Sequence, residues 1–160
     1  MNRFLLESRS EAETDRLGAV LEAVLPEHIV IGLYGTLGAG KTRLVQAVAA
    51  AAGIDRKDVT SPTFVLCQQY HGRRTIFHLD AYRIRDDDEF LELGVDEIFI
   101  SPALVFVEWA DRVENCLPQS RIDLIVSLGA DDVRLFEIID RQPTPSGLIA
   151  SIERNLRSQQ

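Results

Sequence analysis

Three features of the sequence predict an α/β fold, a three-layer sandwich on a mixed sheet with a parallel core and an antiparallel hairpin. The first is Gly35-Thr36-Leu37-Gly38-Ala39-Gly40-Lys41-Thr42, which reads G-x-x-x-x-G-K-T. It lies between a β-branched run, residues 28–34, and an Ala-rich run, residues 43–52, that Gly53 stops. Strand, phosphate-binding loop and helix in that order make a P-loop NTPase-like unit, whose strands run parallel. The second feature is Leu104-Val105-Phe106-Val107, continuously apolar, the profile of a central strand buried on both faces. The third is a pair of strand-like runs, residues 64–70 and 75–79, joined by His71-Gly72-Arg73-Arg74, which predicts the hairpin.

The remaining elements follow along the chain. After a short N-terminal strand, Ser10-Glu11-Ala12-Glu13 fits a capping box, and Leu17, Val20, Leu21, Val24 and Leu25 repeat at helical spacing until Pro26. The acidic run Asp86-Asp87-Asp88-Glu89 opens a short helix through Phe90, Leu91 and Leu93, since acids in a first turn complement the helix dipole. Residues 122–128 and 133–139 alternate as late strands joined by Gly129-Ala130-Asp131-Asp132, and residues 145–156 predict a C-terminal helix. No repeat or linker interrupts the 160 residues, so residues 1–160 are expected to form a single domain.

Composition narrows the function. No apolar run approaches the ~20 residues of a membrane span, and the N-terminal apolar stretch is too short for a signal peptide. Cys67 and Cys116 stand alone without metal-ligand or redox spacing, which predicts incidental thiols in a cytoplasmic protein. A formal net charge of −8 argues against a nucleic-acid binder, because phosphate neutralisation needs clustered Lys and Arg. The small basic spots, Arg73-Arg74 and Arg83 with Arg85, read as solvated surface charges, with RNA or an acidic partner surface as the alternative.

The candidate site residues follow from phosphate chemistry. Gly35, Gly38 and Gly40 let the backbone approach phosphates, Lys41 supplies a cation, and the Thr42 hydroxyl can enter a Mg²⁺ shell. Glu108, at the end of the apolar strand, is expected to face Thr42 and hold Mg²⁺ directly or through water. Asp80, after the strand of residues 75–79, either completes the metal shell, orients the attacking water or serves as a turn residue. Thr63, beyond Pro62, is either a γ-phosphate sensor or a structural cap.

The set Gly35 to Thr42, Ser61-Pro62-Thr63-Phe64, His78-Leu79-Asp80-Ala81-Tyr82-Arg83, Leu93-Gly94 and Val107-Glu108-Trp109 resembles the TsaE (YjeE) family over about residues 8–140. That resemblance implies a small bacterial P-loop ATPase needed for threonylcarbamoylation of the adenosine beside the anticodon in tRNAs that read codons beginning with A. It also implies a TsaB–TsaD heterodimer as partner, with TsaD performing the transfer and ATP hydrolysis resetting the complex. Carried onto this sequence, Gly38, Ala39, Gly40, Lys41 and Thr42 bind the phosphates of ATP, and Thr42 and Glu108 hold Mg²⁺. Lys41, Thr63 and Asp80 form the catalytic set near the γ-phosphate, with Trp109 beside the site. Residues 11–14, with Glu11 and Thr14, help hold the adenine, as does Arg134 from a late strand. The tRNA is reached only through the complex. Two other readings stay open, a nucleotide-gated adaptor with little hydrolysis and a small nucleotide kinase. The kinase lacks support in any Arg-rich lid.

Overall fold

The computed structural model describes residues 2–62, 66–144 and 146–158. In chain order the elements are β1 (Asn2–Ser8), α1 (Glu11–Val24), β2 (Ile29–Tyr34), α2 (Lys41–Ala51), β3 (Cys67–His71), β4 (Thr75–Asp80), α3 (Asp87–Leu91), α4 (Val95–Phe99), β5 (Leu104–Glu108), β6 (Ile122–Leu128), β7 (Arg134–Asp140) and α5 (Leu148–Ser158). The strands form one sheet in the order β1-β7-β6-β2-β5-β4-β3. Four central strands, β6-β2-β5-β4, are mutually parallel, and both flanks are antiparallel, β3 on β4 at one edge and the β6-β7-β1 ribbon at the other. The predicted parallel core and hairpin are therefore present, and a second antiparallel flank accompanies them.

Alternation along the strands divides the interior into two cores. Ile29, Ile31, Leu33, Leu104 and Phe106 face α1, α2 and α5, while Val30, Val105 and Val107 face the layer built from α3, α4 and the turns at residues 110–116. All five residues of β5 are buried, as its unbroken apolar run predicts. Helix α1 starts as read from the capping box: Ser10 Oγ accepts from Glu13 N at 3.1 Å. The reciprocal bond goes to Arg9 rather than Ser10, with Arg9 N donating to Glu13 Oε2 at 2.7 Å. Helices α1 and α2 pack at close range because Gly18 has no side chain. A Cβ there would lie 2.5 Å from Ala47 Cβ.

Several expectations are corrected. In the run 64–70, Leu66 adopts a left-handed φ of 66° and β3 begins at Cys67; residues 63–65 lie outside the described residues. The helix opened by the acidic run stops at Leu91, short of Leu93, and a second short helix, α4, follows Gly94 at φ 78°. No strong hydrophobic period marks that five-residue helix in the sequence. Pro145 lies outside the described residues, and the C-terminal helix is α5, starting at Leu148. Arg74 is half-buried, and Arg73, though exposed as expected, is also bonded. Arg74 donates to the carbonyls of Glu22, Leu25 and Pro26 at the end of α1, and Arg73 donates to Ala51 O at the end of α2 and to Glu22. Cations at these helix C-termini satisfy carbonyls that the helices leave unpaired. Arg85 pairs with Glu89 one turn on. Both cysteines are free and half-buried, and among the described residues no helix is long and apolar enough to cross a membrane.

Candidate nucleotide site

The carboxyl ends of the parallel strands converge on the loop after β2, the place where open α/β sheets bind ligands. Gly35 opens that loop at φ 148°, where a Cβ would stand 2.3 Å from the Val126 carbonyl oxygen, so only glycine fits. Gly40, at φ 114°, caps α2 without a side chain, leaving the first N–H groups of the helix directed into the cleft. Lys41 and Thr42 begin that helix.

Register places the two acids side by side. Asp80 at the end of β4 and Glu108 at the end of β5 are paired positions of adjacent parallel strands, and Leu33 of β2 pairs with Glu108 on the other side. The Thr42 hydroxyl lies 2.8 Å and 3.0 Å from the two oxygens of Glu108. Glu108 thus faces Thr42, as expected from its place at the strand end. Asp80 is anchored through both oxygens: Ser61 Oγ donates to Oδ2 at 2.9 Å and Tyr82 N donates to Oδ1 at 2.8 Å. Lys41, Asp80 and Glu108 are only 4%, 2% and 3% exposed.

The Lys41 ammonium donates to Gly35 O at 2.5 Å and Thr36 O at 3.0 Å, and sits 3.9 Å from the centre of the Trp109 ring. Burial lowers its pKa below the ordinary range, although Glu108, Asp80 and Asp111 pull the other way. Trp109, at a left-handed φ of 57°, meets the Tyr82 ring at 4.9 Å with the two planes inclined by 46°. The indole, just past the end of β5, lines the cleft beside Lys41.

One side chain at the centre is absent from the expected set. His78, fully buried on β4, brings Nε2 to 2.6 Å from Glu108 Oε2. With its proton on Nε2 the ring donates to the carboxylate, and Nδ1 then has no partner among the described residues. Thr42, Glu108 and His78 therefore form a continuous chain, and the imidazole holds the carboxylate that faces Thr42. A lone His inside a strand carries no spacing signal for this. The hints are its place in the family block with Asp80 and the alternation of β4, which puts His78 and Asp80 on the same face.

The cleft has a volume of about 550 Å³ and is lined by residues 37–43 with Asp80, Glu108, Trp109 and, at its far end, Glu11 and Arg134. A recess of about 260 Å³ adjoins it, lined by Glu11, Thr14, Arg134 and Phe136 among others. The residues read as phosphate-binding and those read as adenine-binding thus line adjoining hollows. Thr14 is buried at the recess floor, with Oγ1 2.7 Å from Ser8 Oγ, and the Arg134 side chain lies beside Gly40. Thr63 lies outside the described residues. Thr42 and Glu108 present hard oxygen donors suited to Mg²⁺. Among the described residues no group of three His, Cys, Asp or Glu side chains forms a metal cage. A cation between Thr42 and Glu108 would therefore take its other ligands from phosphates and water, the usual Mg²⁺ arrangement.

The family model described as Threonylcarbamoyl adenosine biosynthesis protein TsaE matches residues 8–135. Curated relatives named tRNA threonylcarbamoyladenosine biosynthesis protein TsaE include one from Treponema pallidum, 38% identical over 127 residues, 79% of this chain and 93% of that protein. One from Nostoc is 36% identical over 152 residues, 92% of this chain and 91% of that protein. The crystal structure of Bacillus subtilis YdiB shares the fold with a TM-score of 0.78 at 26% identity, over 99% of this chain and 97% of that one. The matched span runs from the end of β1 through the P-loop and both acidic strand ends to Arg134 and Leu135: the chain belongs to the TsaE family of threonylcarbamoyladenosine biosynthesis proteins.

Proposed function

We propose that the protein is an ATPase that binds ATP with Mg²⁺ in this cleft and hydrolyses it to support threonylcarbamoylation of tRNA by a TsaB–TsaD heterodimer. The modified position is the adenosine beside the anticodon in tRNAs that read codons beginning with A, and hydrolysis resets the complex between turnovers. The observation that carries the reading is the Thr42–Glu108–His78 chain set against the P-loop, with Asp80 in register beside it. A loop that only gripped phosphate has no use for two buried acids at the ends of neighbouring strands.

The roles follow from position. Backbone N–H groups of residues 38–42 and the Lys41 ammonium receive the phosphates once Lys41 leaves the carbonyls of Gly35 and Thr36. Thr42 and Glu108 hold Mg²⁺, and His78 keeps the Glu108 carboxylate turned toward it. Bound there, the ion neutralises charge on the phosphate oxygens. Asp80, fixed through Ser61 and Tyr82, orients the attacking water. Thr63 contacts the γ-phosphate, and Glu11, Thr14 and Arg134 hold the adenine. Unassisted turnover is low, and the partner pair raises it. The acidic chain reaches tRNA only through that pair, having no basic stripe to hold phosphates at physiological salt.

The deciding experiment measures ATP hydrolysis with and without the TsaB–TsaD pair. Stimulated release of phosphate supports the ATPase. ATP-dependent docking without hydrolysis would replace it with a nucleotide-gated adaptor, and phosphoryl transfer to a second nucleotide would replace it with a kinase.

A further inference from the structure

The two edges of the sheet differ. An edge strand presents a row of unpaired N–H and C=O groups, and proteins blunt such edges with short strands, bulges, Pro or Lys. The β3 edge follows that pattern: it has five residues, and Leu66, in a left-handed conformation, turns the chain just before it. The β1 edge does not. It has seven residues, pairs with β7 at seven consecutive positions without a bulge, and contains neither Pro nor Lys. No strand lies beyond it among the described residues, so every second residue of β1 aims its backbone groups away from the sheet.

Alternation sorts the side chains of β1. Phe4 and Leu6 pack against the core that α1, α2 and α5 cover, and Ser8 is buried. Arg3, Leu5 and Glu7 fall on the opposite face. Leu5 is 66% exposed, and the Arg3 and Glu7 side chains are each 57% exposed. The order of these three residues is self-complementary. If a second β1 runs antiparallel across a two-fold axis at Leu5, Leu5 meets its own copy, Phe4 meets Leu6, and Arg3 meets Glu7. Both ends of the pairing then set a cation against an anion. Sliding the axis to residue 4 or 6 sets Arg3 or Glu7 against Leu5 instead. The chain as a whole carries −8, so two copies repel at long range and only a locally balanced edge lets them touch. Arg3 already pairs with Glu137 on β7 and Glu7 with Arg9, so the new pairs would extend an existing charge ladder. The same operation on β3, centred at Gln69, matches Cys67 with His71 and forms no such pair.

We infer that β1 is a docking edge for a second copy of this chain, which adds antiparallel across a two-fold axis at Leu5 and joins the two sheets into one. Backbone hydrogen bonds hold the copies together, and the Arg3–Glu7 pairs fix the register. The inference does not depend on the nucleotide reading.

The test is sedimentation of the full-length protein from micromolar to millimolar concentration, together with cysteine cross-linking under mild oxidation. Wild type should dimerise reversibly over that range. Arg3→Glu and Glu7→Arg each set like charges together twice per dimer and should weaken association about tenfold. The double variant Arg3→Glu/Glu7→Arg should restore it. That rescue cannot come from within one copy, because the double variant still lacks the Arg3–Glu137 and Glu7–Arg9 pairs. Cross-linking reads the register without touching a charge. Opposed residues of antiparallel strands hold their Cα atoms about 4.5–5.5 Å apart, within disulfide reach. Leu5→Cys should therefore cross-link to its own copy, while Leu128→Cys, also exposed but on β6, should stay at the wild-type background from Cys67 and Cys116. Three results would each overturn the inference: wild type that stays monomeric to about 1 mM, a double variant as weak as either single one, or equal cross-linking at positions 5 and 128.

Discussion

The two ends of the cleft are built from different material. At the phosphate end the polar groups come from the parallel core: Lys41 and Thr42 from the start of α2, Asp80 and Glu108 from register-paired ends of β4 and β5. Lys41, Asp80 and Glu108 are almost wholly buried and bonded to neighbours on other elements. At the recess end the groups come from α1 and the antiparallel flank. Glu11 stands in solvent and Arg134 is half-buried on β7, with Ser8 and Thr14 sealed beneath. Charges buried among fixed partners are costly to alter, whereas exposed ones are screened and individually weak. The phosphate end should therefore break at single atoms, and the recess should respond by degrees.

The largest effect expected is at the loop's first glycine. Gly35→Ala places a methyl 2.3 Å from the Val126 carbonyl at φ 148°, while Gly38, at φ 78°, has open space around it. Gly35→Ala should cost about 3 kcal/mol of stability and Gly38→Ala about 1 kcal/mol, read from denaturant midpoints. Equal midpoints for the two would remove the claim that the phosphate end is sterically determined. Next comes Lys41→Ala, which should lower ATP affinity or stimulated hydrolysis at least about tenfold, since a buried charge-assisted bond to phosphate is lost.

A sharper comparison sets Glu108→Gln against Arg134→Ala. The first keeps the side-chain shape but removes the charge proposed to hold Mg²⁺, so the Mg²⁺ concentration needed for half-maximal hydrolysis should rise and kcat should fall. The second should raise KM about threefold and leave kcat unchanged, as loss of an interaction shared by ground and transition states does. Identical Mg²⁺ titrations for Glu108→Gln and wild type would refute the metal role. A fall in kcat for Arg134→Ala would erase the distinction between the two ends.

The smallest effect lies at Asp15, beside the recess. Burial raises its carboxyl, but the hydrogen bonds and charges of Arg43 and Arg56 outweigh this and hold it below the ordinary 3.8. A carboxyl depressed on folding adds stability above its unfolded pKa, and that contribution disappears as the pH falls through the folded value. Asp15→Asn should therefore be less stable than wild type near neutrality, by about 0.5 kcal/mol for so exposed a pair, and the gap should close below pH 3.8. A gap that stays constant down to pH 2 would show that the Arg43–Asp15–Arg56 group acts by packing rather than charge.

The same division governs what was legible beforehand. Residues 35–42 carry a spacing that only a strand, a tight loop and a helix satisfy, and the apolar run before Glu108 announces a buried strand, so Thr42 and Glu108 could be matched before any coordinates. Ser10 declared the start of α1 for the same local reason. His78 stood in the family block, but its bond to Glu108 could not be read, because that partner is 30 residues away on a neighbouring strand. Arg43 looked like one more helix former until α1 brought Asp15 against it, and Arg73 and Arg74 looked solvated until the hairpin laid them over the ends of two helices.

Chain-local chemistry determined the α/β class, the P-loop, the hairpin and the family blocks, because hydrophobic period and glycine placement act over a few neighbouring residues. Tertiary structure alone decided the β6-β7-β1 flank, the contact at Gly18 that lets α1 meet α2, the His78–Glu108 pair and the guanidinium cluster at Asp15. Each of these depends on strand order and helix approach. Those are set by burying the two cores together, and no short window of sequence carries that information.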